Sequence, residues 1–356
     1  DGLHTGTPSR NIYINTAYKT QSLSDAKLHD PHMTHIEAYR KGLDIVRSTA
    51  PDVFLLGCTI SQNMLSMGPA FGKVDAMRIG PDNGAGSWSG TTKGAWHGTN
   101  LYFLNGRVWH NDPDPIYVRP RQPLNFARWM CSWLAVSDAM HSSSFQYAEL
   151  PPERLDILKR CLPITKIDTR PVDLLETNQP RIWLAQNDRL NVIGLFNWSE
   201  KNPAVIRYPL GKMNLDPKLM YVGFDYWADR FISPFQGQLD QTLEPGTCRI
   251  LAVRRQIDHP QLLSTSRHIT QGLMDVVEER WDPQNRTLTG QSQVVAGDRY
   301  ELRIALPTSG EWVPKQATAG AQKLEIQKND TAGLRVSFVP DDSGLVEWKV
   351  IFSPAS

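Results

Sequence analysis

Apolar and polar positions alternate between helix-type and strand-type patterns over residues 34–161. Apolar residues at helical spacing predict helices over residues 34–49, 92–104, 124–140 and 152–161. Short apolar runs that end in turn residues predict strands near residues 52–58, 74–79, 108–114 and 142–147. The first of these runs is apolar throughout, which is typical of a strand buried in a parallel sheet. The alternation predicts a parallel sheet with crossover helices, and its few units fit the second half of a (β/α)8 barrel.

The pattern changes after Pro163, where short strands follow one another without helices. Apolar runs near residues 181–185, 190–196, 221–227 and 247–253 predict an antiparallel β-sandwich over residues 166–256. Further short runs near residues 300–306, 333–339 and 345–352 predict a second, smaller β-sandwich over residues 257–356. The expected fold class is therefore α/β plus all-β, with the C-terminal half of a TIM barrel over residues 1–165 and two β-sandwiches after it.

Carboxylates are expected to gather at one end of the predicted parallel sheet. Four carboxylates each fall just beyond a predicted strand: Asp1, Asp82, Asp112 and Asp114. Arg78 lies four residues before Asp82, near the end of the same predicted strand. Retaining glycoside hydrolysis needs two carboxyl groups about 5–5.5 Å apart, one as nucleophile and one as acid/base. Loops at two strand ends across a barrel rim can supply that spacing. The pattern leaves open which acids pair, and a purely structural Arg78–Asp82 pair is the alternative.

The composition narrows the classes of partner. The 356 residues are 40% hydrophobic with a formal net charge of +1, which favours neither nucleic acid nor an anionic membrane as partner. The 11 tryptophans agree with sugar binding only weakly, because most tryptophans are core residues. The four cysteines are scattered without a Cys-x-x-Cys motif, so no zinc or redox motif is predicted. We expect no metal and no cofactor.

The segment Asp75-Ala-Met-Arg-Ile-Gly-Pro-Asp82 carries a specific resemblance. Together with Leu56-Gly57-Cys58 and Trp109-x-Asn-Asp-Pro-Asp114, it resembles the melibiase-type α-galactosidases and α-N-acetylgalactosaminidases of glycoside hydrolase families 27 and 36. The resemblance covers residues 1–255 and is strongest over residues 53–119. It implies a retaining α-glycosidase with a TIM barrel and a C-terminal β-sandwich. The first half of that barrel would lie outside this chain.

The same resemblance implies roles for individual residues. Asp82 would be the acid/base, and Arg78 would bind a sugar hydroxyl. Asp1 would be the nucleophile, because Asp1-Gly-Leu lies where the family has the aspartate of Lys-x-Asp. The loop after Cys58 would face the sugar, but it lacks the family's Gly-x-Pro, which leaves the preferred sugar open. The residues expected to bind substrate are Arg78, Cys58, Ser61, Gln62, Asn63 and Trp88.

Several of these residues have an alternative role in the structure of the protein itself. Cys58 is expected to be a packed thiol at a strand end that lines the pocket, and not a nucleophile. Trp88 could stack on the sugar or pin its own loop. The spacing of Asp112 and Asp114 is too sparse for a calcium loop, and a structural role at the barrel rim is favoured over contact with the substrate.

The leading hypothesis from the sequence is a retaining glycoside hydrolase that acts on terminal α-galactoside-like sugars by double displacement. A non-catalytic carbohydrate-binding relative and a transglycosylase on the same scaffold remain alternatives. The expected partner is an oligosaccharide or glycoconjugate, with no nucleic acid and no membrane. The oligomeric state stays open, and polysaccharide-type chemistry predicts a periplasmic or secreted location.

Overall fold

The fold is seen in a computed structural model that describes residues 27–58, 67–84, 87–163, 167–328 and 333–353. These residues fall into two units. The first unit contains the described residues up to Met130 together with Ser137–Arg154. The second contains Cys131–Val136 and the described residues from Leu155 onward. The division into three domains at residues 165 and 256 stays a prediction.

Helices and a parallel sheet occupy the described residues up to Arg160. The helices are α1 (His35–Thr49), α2 (Trp88–Thr91), α3 (Lys93–Asn100), α4 (Leu124–Ser137) and α5 (Pro152–Arg160). The strands β1 (Leu56–Gly57), β2 (Ala76–Arg78) and β3 (His110–Asp112) pair in parallel in the order β1-β2-β3. The helices predicted over residues 34–49, 124–140 and 152–161 are confirmed to within a few residues. The helix predicted over residues 92–104 ends at Asn100 and is followed by a 3-10 turn.

Helix α1 begins with a complete capping box. The Glu37 amide donates to the Thr34 hydroxyl at 3.2 Å, and the Thr34 amide donates to the Glu37 carboxylate at 2.7 Å. Tyr39 and Leu43 bury the inner face of the helix in a cluster that also contains Met77 of β2. The core of the first unit therefore holds the strand that leads to Arg78 against α1.

The prediction of a buried strand over residues 52–58 was wrong. Only Leu56–Gly57 is a strand, and the side chains of Val53, Phe54 and Leu56 are 55%, 57% and 46% exposed. The reason is that β1 pairs with β2 on one side, and within the described ranges no second strand pairs with its other side. An apolar run indicates that its side chains favour burial. Whether they are buried depends on the strands and helices that pack against the run, which the run itself does not specify.

The strand predicted near residues 142–147 was also wrong. This segment makes one isolated parallel bridge, between Ile116 and Ser143, and then forms the 3-10 turn Tyr147–Glu149. The amide of Met140 nevertheless donates to the carbonyl of Asn111 at 2.8 Å. The segment therefore lies beside β3 without forming a continuous ladder, and it brings Ser142 to the end of β3.

The first set of strands after Pro163 forms two antiparallel sheets, one of six strands and one of two strands. The strands are β4 (Asp168–Pro171), β5 (Ile182–Gln186), β6 (Asn191–Phe196), β7 (Ala204–Pro209), β8 (Tyr221–Asp225), β9 (Arg230–Phe235), β10 (Gln238–Leu243) and β11 (Cys248–Arg255). The larger sheet has the order β4-β5-β6-β11-β8-β9, and β10 pairs with β7. Apolar residues of both sheets share one buried cluster, which is the arrangement of a β-sandwich.

The second set forms two further antiparallel sheets. The strands are β12 (Gln261–Thr265), β13 (Val276–Asp282), β14 (Thr287–Val294), β15 (Tyr300–Ala305), β16 (Val313–Ala319), β17 (Gln322–Lys323), β18 (Glu325–Lys328), β19 (Gly333–Phe338) and β20 (Gly344–Ser353). Their orders are β12-β15-β19-β18 and β13-β14-β20-β16-β17, and both sheets contribute to one core around Trp348. The described chain is thus rich in antiparallel sheet after Pro163, as predicted. The half-barrel before it stays a prediction.

Candidate functional site

Two parallel strands end side by side at the candidate site. Strand β2 ends at Arg78 and β3 ends at Asp112, and the two residues are partners in the strand register. The chain leaves β2 through Ile79 and Gly80 into the loop that carries Asp82, and it leaves β3 into the turn that carries Asp114. Because the carboxyl ends of parallel strands share one edge, the pairing brings these polar side chains together, as the sequence predicted.

Arg78 lies between three carboxylates. Its Nη1 is 2.9 Å from Asp82 Oδ1, its Nε is 3.4 Å from Asp112 Oδ2, and its Nη2 contacts Asp114 Oδ1. The side chains of Asp112 and Asp114 are 4% and 6% exposed, whereas that of Asp82 is 73% exposed. The guanidinium is therefore anchored by two buried acids and presents the third, Asp82, to solvent.

The turn that carries Asp114 has a specialised backbone. Asp114 has a φ of 71°, in the left-handed region that few residues other than glycine adopt. Its amide donates to Asp112 Oδ1 at 2.9 Å, and its own carboxylate accepts from the amide of Asn83. The unfavourable backbone conformation is thus offset by hydrogen bonds, and it directs the Asp114 carboxylate at Arg78 and at the loop beside Asp82.

Asn83 joins the two loops of the site. Its Nδ2 donates to the carbonyl of Pro113 at 3.0 Å, and its Oδ1 accepts from the amide of Gly94 in α3 at 2.9 Å. The hydroxyl of Tyr117 donates to the Asn83 carbonyl at 3.0 Å. A Cβ on Gly94 would lie 1.8 Å from the Pro113 carbonyl oxygen, so this helix position requires glycine. The residue next to Asp82 is consequently fixed from three sides.

Burial sets the proton affinity of Asp114. Loss of hydration raises the pKa of Asp114 to about 6, because the ionised form is disfavoured when water is removed. The amide of Asn83 and the guanidinium of Arg78 act toward a lower pKa, and the nearby Asp82 and Asp112 act toward a higher one. Asp114 therefore carries a proton in mildly acidic solution.

Arg78 remains a cation throughout. Burial alone would lower the pKa of Arg78, but Asp114, Asp112, Cys58 and Asp82 together raise it above the ordinary value for arginine. Cys58 is half-buried and directly follows the neighbouring strand β1. Its role as a packed thiol that lines the pocket stays a prediction.

Trp88 lies in the core of the first unit. Its side chain is 6% exposed and packs on Phe126 and Trp129, with ring centroids 4.5 Å and 5.4 Å away. A buried indole of this kind supports the loop that contains it, and the stacking of Trp88 on a sugar stays a prediction. The other expected residues, Asp1, Ser61, Gln62 and Asn63, lie outside the described residues.

The sequence did not single out three residues that complete the site. Asn83 and Tyr117 brace the loop next to Asp82, and the Ser142 hydroxyl donates to Asp112 Oδ1 at 3.4 Å. Asn83 directly follows Asp82 in a Pro-Asp-Asn turn, which was a local signal for it. Nothing local marks Tyr117 or Ser142, because their roles depend on which segments lie beside β3.

No group of three or more His, Cys, Asp or Glu residues in the described ranges is arranged to hold a metal ion. The carboxylates at the site surround a guanidinium instead. Across the same part of the chain, no helix combines the length and apolar character needed to cross a membrane. What the site offers is an exposed carboxylate held by a permanent cation, which is suited to proton transfer or to binding hydroxyl groups.

Comparisons with known proteins find glycosidases among solved structures. No protein-family model matches the chain. A β-L-arabinopyranosidase of glycoside hydrolase family 27 from Geobacillus stearothermophilus is similar with a TM-score of 0.48 and 17% identity, over 64% of this chain and 55% of that one. α-Galactosidase I from Mortierella vinacea has a TM-score of 0.48 and 11% identity, over 61% of this chain and 62% of that one.

An α-galactosidase from Saccharomyces cerevisiae, solved with raffinose, has a TM-score of 0.48 and 11% identity, over 62% of this chain and 68% of that one. The chain thus spans between half and two thirds of the length of the first two enzymes. Of the three, the arabinopyranosidase is named as a family 27 enzyme, and all three have low sequence identity to this chain. At such identities and TM-scores, any inference about activity has to come from the residues of the site.

Proposed function

We propose that this protein is a retaining glycoside hydrolase that acts on terminal α-galactoside-like sugars by double displacement. The observation that supports the proposal is the position of Asp82, whose side chain is 73% exposed while its carboxylate is 2.9 Å from Arg78. Two buried acids, Asp112 and Asp114, hold the same guanidinium. An acid/base must be both fixed in place and open to the substrate, and Asp82 meets both requirements.

Each residue has a role in this proposal. Asp82 donates a proton to the glycosidic oxygen in the first step and removes a proton from water in the second. Asp1 is the proposed nucleophile, and Arg78 and Cys58 bind the sugar together with Ser61, Gln62 and Asn63. In a retaining enzyme the two catalytic carboxyl groups are about 5–5.5 Å apart. A crystal structure with a bound sugar would test this distance between Asp1 and Asp82.

The proposal includes a family and a location. We assign the chain to the melibiase-type group of families 27 and 36, as the C-terminal half of a TIM barrel followed by β-sandwiches. The arabinopyranosidase and α-galactosidase named above suggest which sugars to test first. A substrate of this type agrees with a periplasmic or secreted location. Transglycosylation would use the same residues, with a sugar in place of water as acceptor.

A non-catalytic carbohydrate-binding relative is the second candidate. The observation that favours it is the same Arg78–Asp82 contact at 2.9 Å, because a purely structural ion pair has this geometry too. This candidate predicts saturable sugar binding without release of an aglycone by the full-length protein. Turnover of any aryl glycoside by the wild-type protein would exclude it.

The decisive experiment compares leaving groups. In the full-length protein, Asp82→Asn should lower kcat/KM for raffinose by about 10²–10⁴-fold, the usual contribution of general acid catalysis. The loss for p-nitrophenyl α-galactoside should be much smaller, because p-nitrophenolate leaves without a proton. Azide needs no general base, so it should restore turnover of the aryl substrate and give a glycosyl azide with retained configuration.

The matched control is Asp52→Asn, which removes an exposed carboxylate from the same unit. It should leave both kcat/KM values unchanged. Equal losses for the two substrates in Asp82→Asn would indicate that Asp82 only supports the structure. An unchanged kcat/KM for raffinose would contradict the proposal outright.

A further inference from the structure

The second unit contains a cavity that the proposed hydrolysis does not use. It has a volume of about 490 Å³ and lies where the turn between β5 and β6 meets strand β13. This volume is within the usual range of about 300–1,000 Å³ for small-molecule sites. Its lining includes the charged residues Asp188, Arg189, Arg254 and Glu279 and the aromatic residues His259 and Trp281. We call it the β13 cavity.

A fixed ionic network supports one wall of the β13 cavity. The carboxylate of Glu279 accepts from Arg254 Nη1 at 2.6 and 2.9 Å, from the Leu262 amide at 2.8 Å and from Arg189 Nη1 at 3.4 Å. Arg189 also donates to the carbonyls of Leu262 and Gly272, at 3.0 and 2.9 Å. The positions of both guanidinium groups are therefore set before any ligand arrives, which lowers the entropy cost of binding.

One donor in this wall has no acceptor among the residues that the structure describes. Arg189 Nε is fully buried, and within the described part of the chain no hydrogen bond reaches it. Buried polar groups are nearly always hydrogen-bonded, and an exception calls for an explanation. The Arg189 side chain is 16% exposed and lines the cavity, but a ligand could reach its Nε only if neighbouring atoms moved.

Aromatic rings form another wall. His259 stacks on Trp281 with ring centroids 5.2 Å apart and an interplanar angle of 14°. Asp258 Oδ1 lies 2.8 Å from His259 Nδ1, and the Trp281 ring meets Trp312 at 5.7 Å between centroids. Both stacked rings are half-buried, so the wall is rigid and amphipathic. Aromatic surfaces of this kind pack against the C–H groups of a pyranose.

The charges of the lining favour a ligand without net charge. Glu279 accepts from both arginines, Arg189 and Arg254, and Asp188 brings a second carboxylate to the lining. Glu278, also in the lining, pairs with Arg280. An ion of either sign would therefore meet no net attraction, whereas a polyhydroxylated ligand could use the donors and acceptors together.

We propose that the β13 cavity is a binding site for a neutral saccharide. It is built entirely from residues of the second unit, and it does not require Asp82 to be catalytic. It gives this unit a role in holding glycan that the sequence did not predict.

The test uses the full-length protein with Asp82→Asn as background, so that hydrolysis of raffinose is slowed during the titration. Protein labelled with ¹⁵N-tryptophan is titrated with galactose, L-arabinose and raffinose, and the indole signal of Trp281 is assigned from its loss in Trp281→Phe. A saturable shift of that signal by at least one neutral sugar is expected.

Three variants locate the binding. His259→Ala and Asp188→Asn alter the lining at half-buried and exposed positions, and each should raise the Kd reported by the Trp281 signal at least tenfold. Asp341→Asn removes an exposed carboxylate of the same unit outside the lining, and it should leave the Kd unchanged. Circular dichroism spectra that match the wild type would show that the variants are folded.

Several outcomes would overturn the proposal. The first is a Trp281 signal that none of the neutral sugars shifts. The second is an unchanged Kd in His259→Ala. The third is a shift caused by galacturonate or acetate but not by galactose, which would make the cavity an anion site. None of these outcomes bears on the hydrolysis assigned to Asp82, so the two proposals fail separately.

Discussion

Asp114→Asn should remove a specific part of the pH dependence of stability. Burial raises the pKa of Asp114 from 3.8 to about 6 in the folded protein. Between these values the folded protein holds a proton that the unfolded chain has released, so the free energy of unfolding falls as pH rises. A shift of two units corresponds to about 3 kcal/mol, at about 1.36 kcal/mol per unit. This contribution is complete below pH 4 and is lost as pH passes through 6.

The groups that face Asp114 define what the variant changes. They are Arg78 from β2, Asp82 from the following loop, Asp112 from β3 and the hydroxyl of Tyr117. Asparagine keeps an oxygen that can accept from the Asn83 amide, but it cannot titrate. The variant should therefore retain the turn, and it should lose the decline in stability that the wild type shows between pH 4 and 6.

Urea unfolding of the full-length protein at pH 4, 5, 6 and 7, followed by tryptophan fluorescence, measures this effect. The difference between wild type and Asp114→Asn should change by about 3 kcal/mol across the series. The same difference for Asp52→Asn, a carboxylate of the same unit that is exposed, should stay nearly constant. Parallel pH curves for wild type and Asp114→Asn would refute the reasoning, because they would mean that Asp114 titrates alike in both states.

Two further substitutions test the structure of the site. Arg78→Met leaves two buried carboxylates without their cation and should lower the free energy of unfolding at pH 7 by about 3–5 kcal/mol, with a smaller loss at pH 4. Equal losses at both pH values, measured by urea unfolding, would contradict this. Gly94→Ala places a Cβ 1.8 Å from the Pro113 carbonyl oxygen and should cost about 1–3 kcal/mol, because the turn has to move. A Gly94→Ala variant as stable as the wild type would contradict this, because it would show that α3 and the turn at Pro113 can move apart at little cost in free energy.

Local features of the fold were predictable where a short segment contains the whole cause. The capping box of Thr34 and Glu37 needs only residues three apart, so its two hydrogen bonds depend on the local sequence alone. The burial of Val53 and Phe54 was predicted wrongly, because burial depends on what lies across the sheet and not on the apolar run. The strand near Ser142 failed for a related reason, since pairing there needs a ladder that only one bridge supplies.

The sequence also predicted one part of the candidate site and not the rest. The cluster of Arg78, Asp82, Asp112 and Asp114 followed from their places at strand ends, because parallel strands bring those ends to one edge. The sequence did not reveal which of the three acids would be exposed. That outcome depends on the positive φ of Asp114 and on the Asn83 hydrogen bonds, which turn one carboxylate inward and hold the neighbouring loop outward.

The balance of charge at the site gives the proposed chemistry a physical basis. Arg78 faces three carboxylates, so the cluster has a surplus of two negative charges when all three are ionised. A neutral sugar gains little from that surplus, whereas the oxocarbenium-like transition state of glycoside cleavage carries positive charge and gains much more. Only interactions that strengthen in the transition state accelerate a reaction. The buried pair Asp112 and Asp114 could therefore serve catalysis without touching the substrate, through the field that they maintain around Arg78 and Asp82.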